Sequence, residues 1–422
     1  MEGDGASTSE SAEGTQQQPP MMPRWKRLLP PDPVKDLIYK LPPKYRPVLP
    51  ISGGFLVMLT IGTIYTSGNM APYILSYMRN EETPSLSIQS LSWLVALQGG
   101  IPFTMFLGGL MEAALGTKQT AFLGCVLLWV GVASAYFTVQ SSFLAFLLTY
   151  GLLFGLGMAT AYNAALVCGI KWMPNQPGLA SGIIVAGFGL ASSLFSPLQT
   201  LFINPFNYAP DCGTVYFCQE DLLSRVPGAF LKLAMCYLIV DLIGVALICA
   251  PRKEIAGLDE EGKPLVDQRD NDHNNSVEVR MALGSWTFWW LALCYVCNVA
   301  FVFALSNYWK AFGQTFISND FFLSGVSSLG SVGNCLGRLF WGHLADRTSF
   351  QTAMAVATCA SAAFCFTLPS LPLLGSPLLF LVWVVFCFFC GSANFPLFPL
   401  AIANCFGRRH VGVVYGFLFA FN

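Results

Sequence analysis

Ten stretches of this chain carry little charge over the roughly 17–25 residues, or more, that a helix needs to cross a bilayer. They fall at 48–76, 90–111, 119–139, 143–168, 179–203, 228–250, 285–309, 322–344, 351–369 and 376–402, and an eleventh begins at 411 and runs to residue 422. In hydrocarbon no water satisfies the backbone, so a segment this long and apolar must bond to itself as a helix. Charged residues are 11% of the 422, against about 25% in a soluble domain. The expectation is an all-α, multi-pass membrane protein.

The basic residues orient it. If the N-terminus is cytoplasmic, seventeen of the 22 Lys and Arg fall on the inner side: seven before residue 47, then Lys118, Lys171, five between Arg252 and Arg280, Arg347, Arg408 and Arg409. Four fall outside (Arg79, Arg225, Lys232 and Lys310), and Arg338 lies within a segment. That bias places the N-terminus in the cytoplasm of a plasma or organelle membrane.

Residues 1–46 read as a disordered cytoplasmic tail, rich at its start in Ser, Gly, Gln, Glu and Pro. No apolar core follows a charged start, so it is not a signal peptide. Residues 251–283 are charged and lack aromatics, and read as a solvated cytoplasmic linker between segments 47–250 and 284–422. Most of the 14 Cys lie in apolar segments, where small packing residues are the ordinary reading of both the CYVC and CFFC spacings. Cys212 and Cys218 lie instead in an outer loop, where a disulfide is the expectation. The sequon at Asn274 falls on the inner side.

The two parts share a pattern. Glu112 follows Gly108 and Leu110 at the end of the second segment, and Asp346 follows Gly342 and Leu344 at the end of the eighth, 234 residues on. Gly178 and Gly182 open the fifth segment, and Gly412 and Gly416 open the eleventh at the same offset. Two matches at one offset indicate a parallel repeat of two six-helix halves. Twelve helices are then expected. The sequence ends within the eleventh, so a fragment or short form of a longer protein is anticipated.

This layout, with G-x-L-x-[DE] after the second and eighth helices, resembles the major facilitator superfamily. Within it, YNAALVCGIKWMPNQPGLASGIIVAGFGLASSLFSPL (162–198) is similar to the KWFPxxxGLASGxxVAGFG pattern of the oxalate:formate antiporter branch and its monocarboxylate-transporter relatives. NCLGRLFWGHLADR (334–347) is similar to that branch's N-G-L-x-R-x-x-x-G-x-x-S-D-R. The resemblance implies a secondary carrier of a small organic anion, working by alternating access with a coupling ion or counter-substrate. Two positions depart from the pattern. The branch's oxalate carriers place a Lys seven residues beyond the Tyr of a YG pair, where this chain has Asn422 after Tyr415-Gly416. Its proton-coupled monocarboxylate carriers place an Asp four residues before the Arg, where this chain has Asn334.

Arg338 is the residue that needs an explanation. It lies eight residues from Asp346, about 12 Å along a helix, when half a hydrocarbon core is about 15 Å. A charge there is expensive unless it faces a partner or a water-filled cavity. Its guanidinium is a planar fork that matches a carboxylate and keeps its proton. It can also serve structurally, on backbone carbonyls. Asn334, one turn earlier, shares its face. The resemblance makes the first, fourth, seventh and tenth helices cavity-lining, so Tyr65, Tyr162, Asn163, Asn298 and Asn394 are candidate contacts, with Gln98 and Tyr308 beside them. Each also has the ordinary reading of helix–helix hydrogen bonding. Together they suit a small amphipathic anion better than a sugar.

Asp241, in CYLIVDLIGVAL, is the other isolated intramembrane charge, either a proton site or a structural acid. The resemblance makes Glu112, Asp346 and Arg347 gating residues that hold the inward side closed. Position 113 is Ala where the first-half motif usually has Arg, which weakens that latch. No phosphate-binding GxxxxGK[ST] run occurs, and His273, His343 and His410 lack metal-ligand spacing. The reading is therefore a non-enzymatic carrier, monomeric, in contact with lipid, with no cofactor, metal or nucleic acid. Neutral amino acids are the alternative substrates, and a non-transporting short form is the alternative from another class.

Overall fold

The computed structural model describes residues 33–81, 86, 88–100, 104–206, 208, 216–251, 279–314, 316–317, 320–407 and 411–419. The described residues form helices and turns, without a strand. Eleven helices follow the apolar segments. They are α1 (Pro43–Arg79), α2 (Trp93–Leu115), α3 (Thr117–Thr138), α4 (Phe143–Trp172), α5 (Pro177–Ile203) and α6 (Glu220–Leu247). Then come α7 (Trp286–Gln314) and α8 (Asp320–Arg347), α9 (Phe350–Leu373) and α10 (Pro377–Phe406), and α11 (Val411–Phe419). Eight of these are long and apolar enough to cross a membrane by length and composition. The surface is inside-out by soluble standards: Phe137, Leu144, Trp286, Phe366 and Leu373 are all exposed, as a lipid environment requires.

The turns have local causes. Gly116, between α2 and α3, has φ +96°, and Gly407, between α10 and α11, has φ +81°. A side chain is strained there, so glycine ends each helix sharply. Pro177 starts α5, where a missing N–H costs nothing. Ser349 caps α9 by accepting from the Thr352 N–H at 3.1 Å.

Several helices are not uniform. α1 tightens into a 3-10 turn over Gly62–Thr66, where Thr63 and Thr66 donate their hydroxyls to the carbonyls three residues back. α4 widens into a π-helical stretch over Leu147–Leu153. Such irregular turns often mark functional hinges. The 3-10 turn in α1 carries Tyr65, a candidate contact.

The two most extensive contacts between the first six helices and the last five are α5 against α8 and α2 against α11. Both depend on glycine. A Cβ on Gly178 would lie 2.6 Å from the Gly342 carbonyl, and one on Gly182 would lie 2.6 Å from the Arg338 carbonyl. In the other pair, a Cβ on Gly109 would lie 2.6 Å from Gly412 and one on Gly416 would lie 2.5 Å from the Phe106 nitrogen. The glycines 234 residues apart thus make corresponding contacts, near the end of the bundle that carries Lys118, Lys171 and Arg347. That end is called the basic end below.

One expectation is corrected. The stretch before residue 47 is not wholly irregular, because Pro33–Lys40 is helical. Ile38 is buried, and the Tyr39 ring lies 6.1 Å from that of Trp172. Eight residues carry too little periodicity to be seen in the sequence. Similarly, Val279–Gly284, at the end of the expected linker, is helical. Residues 1–32 and the linker positions 252–278, with Asn274, lie outside the described residues.

Candidate functional site

Arg338 is fully buried on α8. Its Nε donates to Asn334 Oδ1 at 2.9 Å, so the i,i+4 pair on one helix face is a hydrogen-bonded pair. Nη1 donates to the Val185 carbonyl of α5 at 2.6 Å, and Nη2 reaches the Tyr65 hydroxyl of α1 at a long 3.4 Å. The Phe395 ring of α10 covers the guanidinium at 4.1 Å, with Phe188 of α5 at 5.3 Å. Among the described residues no carboxylate pairs with it. A guanidinium has five N–H donors. After these three bonds, one N–H on each terminal nitrogen is left without a partner among the described residues. Cation–π contact stabilises a desolvated charge by about 2 kcal/mol, but does not use those donors.

Aromatic rings surround this cation. Tyr65 and Tyr162 both pack edge-on against Phe188, at 5.1 and 5.8 Å. Tyr162 stacks with Tyr415 of α11 at 6.4 Å. Tyr295 of α7 meets Phe398 at 5.0 Å. Tyr65 is 40% exposed while Tyr162 and Tyr415 are buried, so Tyr65 is the most open member of this group. The arrangement is one fixed cation and several phenols drawn from both ends of the sequence. It can bind an anion with an apolar body, and among the described residues it offers a second anionic group no further cation.

The Major Facilitator Superfamily matches residues 53–422. The chain belongs to that superfamily. It is 32% identical over 440 residues to apicoplast pyruvate carrier 1 of Toxoplasma gondii, covering 88% of this chain and 80% of that one. It is 24% identical over 273 residues to the oxalate:formate antiporter of Oxalobacter formigenes, covering 63% and 57%. Among solved structures, a proton:xylose symporter superposes with a TM-score of 0.64 over 89% of this chain and 86% of that one, at 14% identity. That likeness concerns the fold alone. The protein is thus an integral membrane transporter of the superfamily.

Placed in this fold, the remaining candidates divide. Asn163 is buried on α4 and donates to the Met105 carbonyl at 2.5 Å and the Gly412 carbonyl at 3.2 Å, joining α2 and α11. Asn394 is buried beside Phe395 and donates to Gly391. Gln98 lies between helices, donating to the Tyr150 carbonyl at 2.8 Å. Asn298 is not among the Arg338 rings: it is half-buried on α7 and accepts from Thr358 of α9 at 3.0 Å. The Tyr308 side chain and Asn422 lie outside the described residues. Asp241 is buried but far from bare, accepting from Thr60 Oγ1 at 2.6 Å and Trp129 Nε1 at 2.9 Å. It ties α6 to α1 and α3. Cys218 is disulfide-bonded, and Cys212 lies outside the described residues.

The two acids of the repeat behave differently. Asp346 accepts from the Gly178 and Leu179 N–H groups at 2.9 and 2.6 Å, so α8 caps the first turn of α5. Glu112 pairs instead with Lys171 of α4 at 2.6 Å and accepts from Thr117 at 2.8 Å, within its own six helices. Arg347 is exposed. A carboxylate at a helix N-terminus is favourable by roughly 0.3–1 kcal/mol, and its cap bonds add about 1 kcal/mol. Asp346→Ala is expected to lower the thermal midpoint of the purified protein more than Asp346→Asn, which keeps one acceptor oxygen. Equal midpoints for both variants and the wild type would show that this cap contributes nothing.

Sequence reasoning passed over Phe188, Phe395, Tyr295 and the Val185 carbonyl. Phe188 stands inside the VAGFG run and Phe395 directly follows Asn394. In an apolar helix an aromatic ring gives no signal of which face it takes.

Proposed function

We propose that this transporter carries a small monocarboxylate of the pyruvate type, with Arg338 as the partner of its carboxylate. The observation that carries this is a buried guanidinium, at the junction of α8 with α5 and α1, that among the described residues has donors to spare and no acid beside it. A buried charge without a partner is costly, and a bound carboxylate offsets that cost with charge-assisted bonds. Asn334 does not titrate, and among the described residues beside Arg338 a second negative charge on the substrate would meet neither a cation nor a proton carrier. The names of the relatives, a pyruvate carrier and an oxalate:formate antiporter, support the substrate class.

The basic end faces the cytoplasm in this reading, since seventeen Lys and Arg lie on that side against four opposite. Arg338, Gly342 and Asp346 succeed one another on α8. Rocking that parts α5 from α8 therefore loosens the gate and the site together, which is alternating access.

The test is tracer uptake in cells expressing the protein, with pyruvate, lactate, oxalate and a neutral amino acid compared. Pyruvate or lactate is expected to be taken up saturably, with oxalate at least about tenfold poorer for lack of a second cation. Preference for oxalate or for the amino acid would overturn the reading.

A further inference from the structure

We propose that Tyr162 and Tyr415 together form a subsite for an oxygen on the carbon next to the substrate's carboxylate, so that the site selects 2-oxo and 2-hydroxy acids over plain carboxylic acids. This deepens the reading of Arg338 as the carboxylate's partner and rests on it.

Both phenols are almost wholly buried and their hydroxyls lie near each other, and among the described residues neither has a well-formed hydrogen bond to any other group. A buried hydroxyl without a partner is unfavourable, and native proteins keep few of them. Here two occur together, one from α4 and one from α11, with their rings stacked at 6.4 Å and 23°. They belong to the aromatic group around the cation: Tyr162 and the Arg338 guanidinium lie against the same Phe188 ring, at 5.8 and 5.3 Å. A carboxylate on the free Arg338 donors has its next carbon directed away from the guanidinium. A carbonyl oxygen there has two lone pairs and can accept from two phenols. Its bonds would run to one residue from the first six helices and one from the last five, so only a substrate with this oxygen would link them. Formate lacks the carbon, and propionate lacks the oxygen.

The test uses purified protein in proteoliposomes, with labelled pyruvate uptake inhibited by unlabelled pyruvate or by propionate, which differs at that oxygen. The wild type is expected to prefer pyruvate by about tenfold or more, the scale of one to two neutral hydrogen bonds. Tyr162→Phe and Tyr415→Phe are each expected to shrink that ratio severalfold, chiefly by weakening pyruvate. A wild type with no preference, or variants with an unchanged ratio, would overturn the proposal. Thermal midpoints without substrate guard against misfolding. Removing an unpartnered hydroxyl should leave them equal or higher, and a clear fall would mean that the hydroxyl already has a partner, which also overturns it. Arg338→Gln run alongside separates the two claims. If it abolishes inhibition by both acids while the tyrosine variants keep the wild-type ratio, only the subsite fails. If it leaves both acids bound as before, the anion reading itself fails.

Discussion

Arg338→Gln is expected to lower saturable monocarboxylate uptake by about 100-fold or more while the protein still reaches the membrane. Truncating one partner of a buried, hydrogen-bonded charge pair costs about 2–5 kcal/mol, and each 1.4 kcal/mol is tenfold. Arg338→Lys keeps the charge but loses the fork and the geometry that Asn334 and Val185 impose on it. It should retain part of the activity, with about tenfold loss. The comparison of the two variants is the informative part. If charge alone mattered, Lys would behave as the wild type. If Arg338 only braced α8 against the Val185 carbonyl, both variants would lower the amount of folded protein and leave uptake per molecule unchanged. Uptake normalised to protein at the membrane decides between these outcomes.

Gly182→Val should disable the carrier by a different route. A Cβ at residue 182 would sit 2.6 Å from the Arg338 carbonyl, and one at residue 416 would sit 2.5 Å from the Phe106 nitrogen. Both obstacles are backbone and cannot swing aside. Overpacking of this kind costs about 1–3 kcal/mol, which moves a two-state equilibrium by about 5–150-fold. The cost falls on the state in which α5 lies against α8, so the substitution shifts the molecule away from closure at the basic end. Uptake should fall by about tenfold or more. Spin labels at positions 175 and 348, both lining the roughly 730 Å³ cavity between the α4–α5 and α8–α9 turns, should report a longer and broader distance. Unchanged distances together with full uptake would mean that the helices do not separate in the cycle.

How much of this could be read from residues varied with the kind of physics involved. Helix number and position were plain, because a bilayer demands length and apolarity of each segment separately. The contacts between the two sets of helices were legible through Gly178, Gly182, Gly342, Gly412 and Gly416, since small residues at a shared offset are what close helix approach needs, whereas Gly108 faces Ala159 of α4 and its neighbour Gly109 meets Gly412. The Asn334–Arg338 pair followed from helical spacing. The rest depends on rotation of one helix against another, which a uniformly apolar sequence does not encode. Gln98 and Asn298 look alike in sequence, yet one lies buried between α2 and α4 and the other is half-buried between α7 and α9. The Val185 carbonyl that holds Arg338 is backbone and leaves no mark in a sequence. Glu112 and Asp346 occupy equivalent places in the repeat, and the difference between them comes from Lys171 within reach of the first.

Counterflow measures the central claim most directly. Proteoliposomes loaded with unlabelled pyruvate would be mixed with labelled pyruvate outside, with wild-type protein in one set and an equal amount of Arg338→Gln in the other. Saturable accumulation of label is expected in the wild-type vesicles, and none above protein-free vesicles for the variant. Saturable accumulation that is indifferent to residue 338, or no pyruvate counterflow by the wild type, would contradict it.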